Sequence, residues 1–174
     1  DDFLMTATKH GVSRFKQTFE QFTHGSQFKV TGPFGHFVLN EDAVPAVMLS
    51  GGIGITPLPS MTKYAAAKNL AKPITRIYSN TTADDIPFKK DLDEYDASDM
   101  QFKVHYTLTD EVPSDWKGHR GRIDAAMIEK IVPNWRECEF YVCGPAKMVL
   151  DLKKMLVEMG VTVERLKSEL FTGY

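Results

Sequence analysis

The chain has 174 residues, enough for one domain or for one domain with part of another. Its 43% hydrophobic and 25% charged residues are those of an ordinary globular protein, and a net charge of −2 with scattered basic residues gives no electrostatic ground for nucleic acid or an anionic membrane surface. No apolar run approaches the roughly 20 residues that cross a bilayer, no signal peptide opens the sequence, and two cysteines, Cys138 and Cys143, are too few for a disulfide framework, so no membrane insertion and a reducing cytoplasm are the expectation.

Residues 1–43 have their own character. Phe3 to Thr8 reads as a strand, and Gly11-Val12-Ser13 precedes Phe15, Phe19 and Phe22 at helical spacing. Ser13 suits an N-cap, with Lys16 standing where a capping box wants a carboxylate. An anion over Gly11 to Ser13 is one reading, and a capped amphipathic helix without a ligand explains the same residues more simply. Gln27 to Thr31 alternates like a strand, Gly32 to Gly35 turns tightly, and Glu41-Asp42 starts a linker.

From Val44 onward strands and helices alternate, the pattern of a parallel sheet with helices on both faces. Ala46 to Leu49 is an apolar run of the kind buried on both sides, and it enters Gly51, Gly52 and Gly54 before Thr56-Pro57 opens a helix. Strand, glycine turn and helix N-terminus form a phosphate site, because the backbone can approach an anion and unpaired N–H groups point at it. The turn lacks the Gly-Lys-Ser/Thr of a P-loop. Read from Gly52 it gives Gly-x-Gly-x-x-Pro, without the last glycine of the common dinucleotide fingerprint, and Ala71 to Thr75 offers no acidic residue about twenty positions on.

Met61, Tyr64, Ala65 and Lys68 carry the helix to about Asn69, and Ile74 to Tyr78 is the second strand. A short helix is expected over Asp84–Tyr95, a third strand over Phe102–Leu108, and a loop over Val112–Gly121. Asp124 caps Ala125–Val132, which Pro133 ends, and Glu139 to Cys143 is a fourth strand turning through Gly144-Pro145. Met148, Leu152, Met155 and Met159 make the apolar face of a helix that Gly160 stops, and Val161–Leu170 supplies a fifth strand. Ligands in such sheets lie across the carboxyl ends where strand order reverses, so Gly51–Thr56 and Cys143–Pro145 are expected to face one cleft.

Simpler explanations stand beside these. Cys143 alone reads as a small buried residue, and Cys138 and Cys143 sit on opposite faces of one strand, unsuited to a shared metal. The five histidines show no ligand spacing, the methionine face reads as core, and Asp84, Asp85 and Asp91 read as a helix start and a solvated face.

Five motifs in order, Gly32-Pro-Phe-Gly-His-Phe37, Gly51-Gly-Ile-Gly-Ile-Thr-Pro57, Tyr78-Ser-Asn80, Cys143-Gly-Pro145 and Glu169-Leu-Phe171, resemble the ferredoxin–NADP reductase superfamily over nearly the whole chain. The resemblance implies a flavin-binding β-barrel, here only its last part over residues 1–43, followed over residues 44–174 by a five-stranded, parallel, doubly wound α/β domain. It implies that NAD(P)H passes hydride to FAD, which passes electrons to an iron–sulfur protein, a haem or another acceptor. Carried over by position, Gly51, Gly52, Gly54, Ile55, Thr56 and Pro57, with Ser79 and Asn80, would bind the pyridine nucleotide. Cys143, Gly144 and Pro145 would lie beside the nicotinamide, and Cys143, Glu169 and Phe171 form the implied catalytic set, with Phe171 (or Tyr174) near the flavin. Gly11, Val12 and Ser13 match the motif that receives the FAD pyrophosphate.

The family's first flavin motif, Arg-x-Tyr-Ser/Thr, is expected before the glycine–proline turn. Arg76-Ile-Tyr-Ser79 spells it on the wrong side of the nucleotide turn and reads as a coincidence of strand alternation. The resemblance therefore implies a C-terminal portion that retains FAD poorly, and two cysteines cannot ligate an iron–sulfur cluster. Tyr78 to Asp85 offers hydroxyls and carboxylates, with Thr81 where the resemblance places an arginine in many members, which slightly favours NADH over NADPH, although Lys89 and Lys90 could fold back. A nucleotide-binding regulatory or assembly module without flavin chemistry is the alternative. The absence of Gly-x-Ser-x-Gly and of a P-loop argues against a hydrolase or kinase.

Overall fold

The structure is a computed structural model, and the residues it describes are 13–29, 31–32, 34–84, 86–98 and 101–171. The chain divides into two compact units, Asp1–His36 and Phe37–Tyr174. In the first, α1 (Arg14–Glu20) starts at Ser13, whose hydroxyl accepts the Lys16 N–H at 3.3 Å, as the capping pattern predicts. Phe19 packs against Phe15, Phe22 and Phe28 at ring separations of 6.0, 5.4 and 6.3 Å. The strand expected over Gln27–Thr31 is not formed at the described positions of that segment. A strand persists only when a neighbour takes up its hydrogen bonds, and none of the first unit's described residues is in a strand. The strand expected over Phe3–Thr8 lies outside the described residues.

The second unit is a parallel sheet between two helical layers. Its strands are β1 (Ala46–Gly51), β2 (Ile74–Asn80), β3 (Phe102–Leu108), β4 (His119–Arg120), β5 (Glu139–Pro145) and β6 (Leu166–Phe171), in the order β4-β3-β2-β1-β5-β6. Every pairing is parallel. Among the described residues, six strands stand where five were expected. The extra one is two residues long, inside the segment read as a loop, and it forms because Thr107 and Leu108 offer an open edge to His119 and Arg120. Such a strand is too short to show any alternation.

Helices α2 (Pro57–Ala67) and α3 (Lys89–Ser98) cover one face with Leu58, Met61, Ala65 and Leu92. Helices α4 (Ala125–Ile131) and α5 (Ala146–Glu158) cover the other with Ile128, Val149, Leu152 and Leu156. Cys143 belongs to the first layer and Cys138 to the second, so alternation along β5 does separate them. Asp124 accepts the Met127 N–H at 2.8 Å and caps α4 as expected. At the end of α5, Gly160 (φ +97°) lets its own N–H reach Val157 O and the next N–H reach Leu156 O, both at 2.9 Å, the paired bonds of a glycine stop. Helix α3 begins at Lys89, later than the expected Asp84, because Phe88 takes a left-handed φ of +58° just before it. The last strand begins at Leu166, not Val161, because Val163–Arg165 closes a 3-10 turn first.

The amino ends of the strands are joined by a buried polar network. The Lys72 ammonium is fully buried and lies 2.8 Å from Asp42 and 2.5 Å from Glu139, and it also donates to Val44 O at 2.6 Å. Glu139 accepts from Tyr141 at 2.8 Å and from the Asn40 amide at 2.6 Å, while the Asn40 N–H donates to the Tyr141 hydroxyl at 2.9 Å. The hydrogen bond from Lys72 holds the Asp42 carboxyl below the ordinary carboxylate range. Residues 37–44 are thereby tied to the sheet.

Candidate functional site

The site occupies the carboxyl edge where the strand order reverses. From β1 the chain runs outward to β2 and β3 on one side, and β5 and β6 fill the other. The turn after β1 and the turn after β5 therefore meet across the switch, as the sequence led one to expect. They meet backbone to backbone: a Cβ built on Gly54 would lie 2.3 Å from Gly144 Cα and 3.0 Å from Cys143 O.

The glycine turn differs from the expectation in one respect. Gly52–Ile55 forms a single 3-10 turn before α2, and Thr56 closes it by donating its hydroxyl to Ile53 O at 2.6 Å. Of its glycines, Gly51 and Gly54 are small because protein atoms fill the space a side chain would need. Gly52 is the open one, with φ +51° and nothing within 4 Å of where a Cβ would stand. Its carbonyl accepts the Tyr78 hydroxyl at 2.8 Å, so a fully buried side chain of β2 fixes the turn. Pro57 opens α2 at a position where no N–H is needed.

The remaining candidates fall along the same edge by register. Ser79 pairs with Gly51, Glu169 with Cys143, and Phe171 with Pro145. Phe171 is half-buried and packs on the core layer that holds Tyr78 and Tyr141. Ile55 is fully buried, so it meets the core with its side chain and a ligand only through its backbone. Cys143 is also fully buried; burial, with Glu169 second, pushes its thiol up, and it stays a protonated packing neighbour. Gly11 and Val12 lie outside the described residues, and Ser13 satisfies its own helix.

Two orphaned atoms fit a ligand at this edge. Ser50 Oγ and Asn80 Nδ2, at the ends of β1 and β2, are buried without a hydrogen-bond partner. Native interiors leave few such groups, and a bound polar molecule is one way to satisfy them. Two open cavities lie beyond the ends of β2 and β3. One, of about 280 Å³, is lined by Thr82, Ala83, Asp84, Glu111, Val112 and Pro113. The other, of about 430 Å³, includes Lys89, Tyr106, Trp116 and Lys117 in its walls. The sequence pattern did not single out Glu111, Trp116 or Ser50, which lie in a loop and inside an apolar run. Arg76, read as one face of a strand, is buried on β2 among Tyr95, Tyr106 and Asp96, and burial lowers it to about 10.

The family model for the oxidoreductase NAD-binding domain matches residues 48–154, which contain both turns of the switch. The chain belongs to this family. The domain is 34% identical over 155 residues to the glycine betaine monooxygenase reductase subunit of Chromohalobacter salexigens, covering 87% of this chain and 42% of that one. It is 36% identical over 151 residues to NADH-cytochrome b5 reductase 1 of Pyricularia oryzae, covering 84% and 48%. Its fold superposes on the cytochrome P450 reductase of Amycolatopsis with a TM-score of 0.80 at 26% identity, covering 94% of this chain and 49% of the other. The superfamily resemblance is thus borne out, and the chain spans less than half the length of these relatives.

Proposed function

We propose that this domain is the NADH-binding part of a flavoprotein reductase that moves electrons from a nicotinamide to an iron–sulfur or haem acceptor. The observation that carries the reading is the pair of turns packed against each other at the strand-order switch, with Gly52 left open. In it, Gly52 and the N-terminus of α2 receive the pyrophosphate, Asn80 and Ser79 face the ribose, and Gly144-Pro145 borders the nicotinamide. Glu169 and Phe171, in register with that turn, would border a bound flavin. A bound FAD would supply the chemistry of accepting a hydride and releasing electrons singly. The chain's own residues bind, orient and exclude water. Relatives named as cytochrome b5 and monooxygenase reductases support the reading.

NADH is favoured over NADPH. The 280 Å³ cavity carries the carboxylates of Asp84 and Glu111 and, among the described residues, no cation in its lining, a setting that accepts ribose hydroxyls and repels a 2′-phosphate. The two lysines of the larger cavity are the competing feature, and Lys89 is already paired with Asp93 at 2.5 Å. Both cysteines are free and buried, in keeping with a reducing cytoplasm. The test is a visible spectrum of the purified chain with added FAD, followed by anaerobic titration with NADH and NADPH. Flavin uptake and bleaching at lower NADH than NADPH supports the reading. NADH uptake without any flavin would mean the isolated nucleotide domain of a reductase or a regulatory relative, and no uptake of either nucleotide would remove the site.

A further inference from the structure

Helix α5 places a thioether at the centre of the switch. Met148 stands three residues after Pro145, in the first helical turn, where side chains lean back toward the N-terminus. A Cβ built on Gly51 would lie 2.4 Å from Met148 Sδ and 3.2 Å from its Cε, and one on Gly144 would lie 3.5 Å from the same sulfur. The sulfur thus fills the space that Gly51 leaves on β1 and touches the notch beside Gly144 on β5, where the Gly51 backbone N, at 3.3 Å, is nearer still. An unbranched, polarizable side chain suits such an irregular notch.

We propose that Met148 is a positioning residue of the nucleotide site, a wedge that sets the spacing between the turn after β1 and the turn after β5. The inference rests on the nucleotide reading above. Gly51 leads directly into Gly52, whose open backbone faces the pyrophosphate, and Gly144 leads into the turn beside the nicotinamide. Displacing the sulfur therefore shifts both walls of the site together. Gly51 is small because of Met148. Gly54 is small for a different reason, since its neighbour at 2.3 Å is the Gly144 backbone, which cannot rotate aside.

That difference supplies the experiment. NADH affinity is measured by fluorescence titration, and thermal stability in parallel, for the wild-type chain, Gly51→Ala, Gly54→Ala, Met148→Ala, Met148→Leu and the doubles Gly51→Ala/Met148→Ala and Gly54→Ala/Met148→Ala. Gly51→Ala is expected to weaken NADH binding about tenfold, the effect of a moderate overpacking. Adding Met148→Ala is expected to restore most of that loss for Gly51→Ala and none of it for Gly54→Ala. Met148→Ala alone is expected to weaken NADH at a temperature where the chain stays fully folded, and Met148→Leu to keep near wild-type affinity. Additive losses at Gly51 and Met148, or wild-type affinity in Met148→Ala, would overturn the inference while the nucleotide reading stands. A wild-type chain that takes up no NADH would overturn that reading, and the inference with it.

Discussion

At the amino edge of the sheet, Lys72, Asp42, Glu139, Asn40 and Tyr141 saturate one another at 2.5–2.9 Å. At the carboxyl edge of the same strands, Ser50 Oγ and Asn80 Nδ2 are buried with no partner, and two cavities open beyond the ends of β2 and β3. Both edges bury polar groups, yet only one of them completes its hydrogen bonds from within the chain. A buried polar group without a partner destabilises by about 1–3 kcal/mol, and a bound ligand is one way to supply the missing bond. The saturated edge holds the linker segment to the sheet, and the unsaturated edge is the one with bonds to offer a ligand.

The largest expected effect is at the amino edge. Lys72→Met leaves Glu139 and Asp42 without their cation, and breaking a buried pair in this way lowers stability by about 3–5 kcal/mol. Urea unfolding checks the loss. The NADH affinity of the chain that remains folded should be unchanged, and a parallel loss of affinity would break the division of labour between the edges.

Asn80→Leu should do the opposite. It removes an orphaned amide, so stability stays level or rises by up to about 1 kcal/mol, while NADH binding weakens by about tenfold for a lost polar contact. Calorimetric titration beside urea unfolding separates the two readouts. A stability loss with intact affinity would show that Asn80 serves the core and not the ligand.

The smallest effect is on pH dependence. His105 on β3 and His119 on β4 lie 5.7 Å apart, half-buried on the edge of the sheet. Burial comes first in lowering both below the ordinary 6.5, with His119 and Lys103 adding to the effect at His105, Asp96 opposing it, and Lys130 acting on His119. A depressed imidazole favours the folded state above 6.5 and withdraws that support as the pH falls through and below this value. Stability should therefore decline on acidification over this window, and His105→Gln with His119→Gln should flatten the slope measured by urea unfolding. Trp116 donates to His119 O at 2.9 Å, so the loop lining both cavities is expected to loosen first, seen as faster hydrogen exchange over 112–118.

Much of this architecture is legible in local sequence, because local physics encodes it. Ser13 and Asp124 cap their helices, Gly160 stops α5, and Ala46 to Leu49 forms the fully buried central strand, since caps, left-handed turns and apolar runs act within a few residues of themselves. The glycine turn was legible as a turn for the same reason. Its internal division was not: that Gly51 yields to Met148, Gly54 to Gly144, and only Gly52 to open space depends on atoms brought in from β5 and α5, some ninety residues further along the chain. Likewise β4 exists only because the edge of β3 is free to pair, and Lys72 is a buried cation only because β1 and β5 are neighbours. A single residue's chemistry writes its turn and its cap into the sequence, whereas close approach belongs to pairs that folding alone brings together.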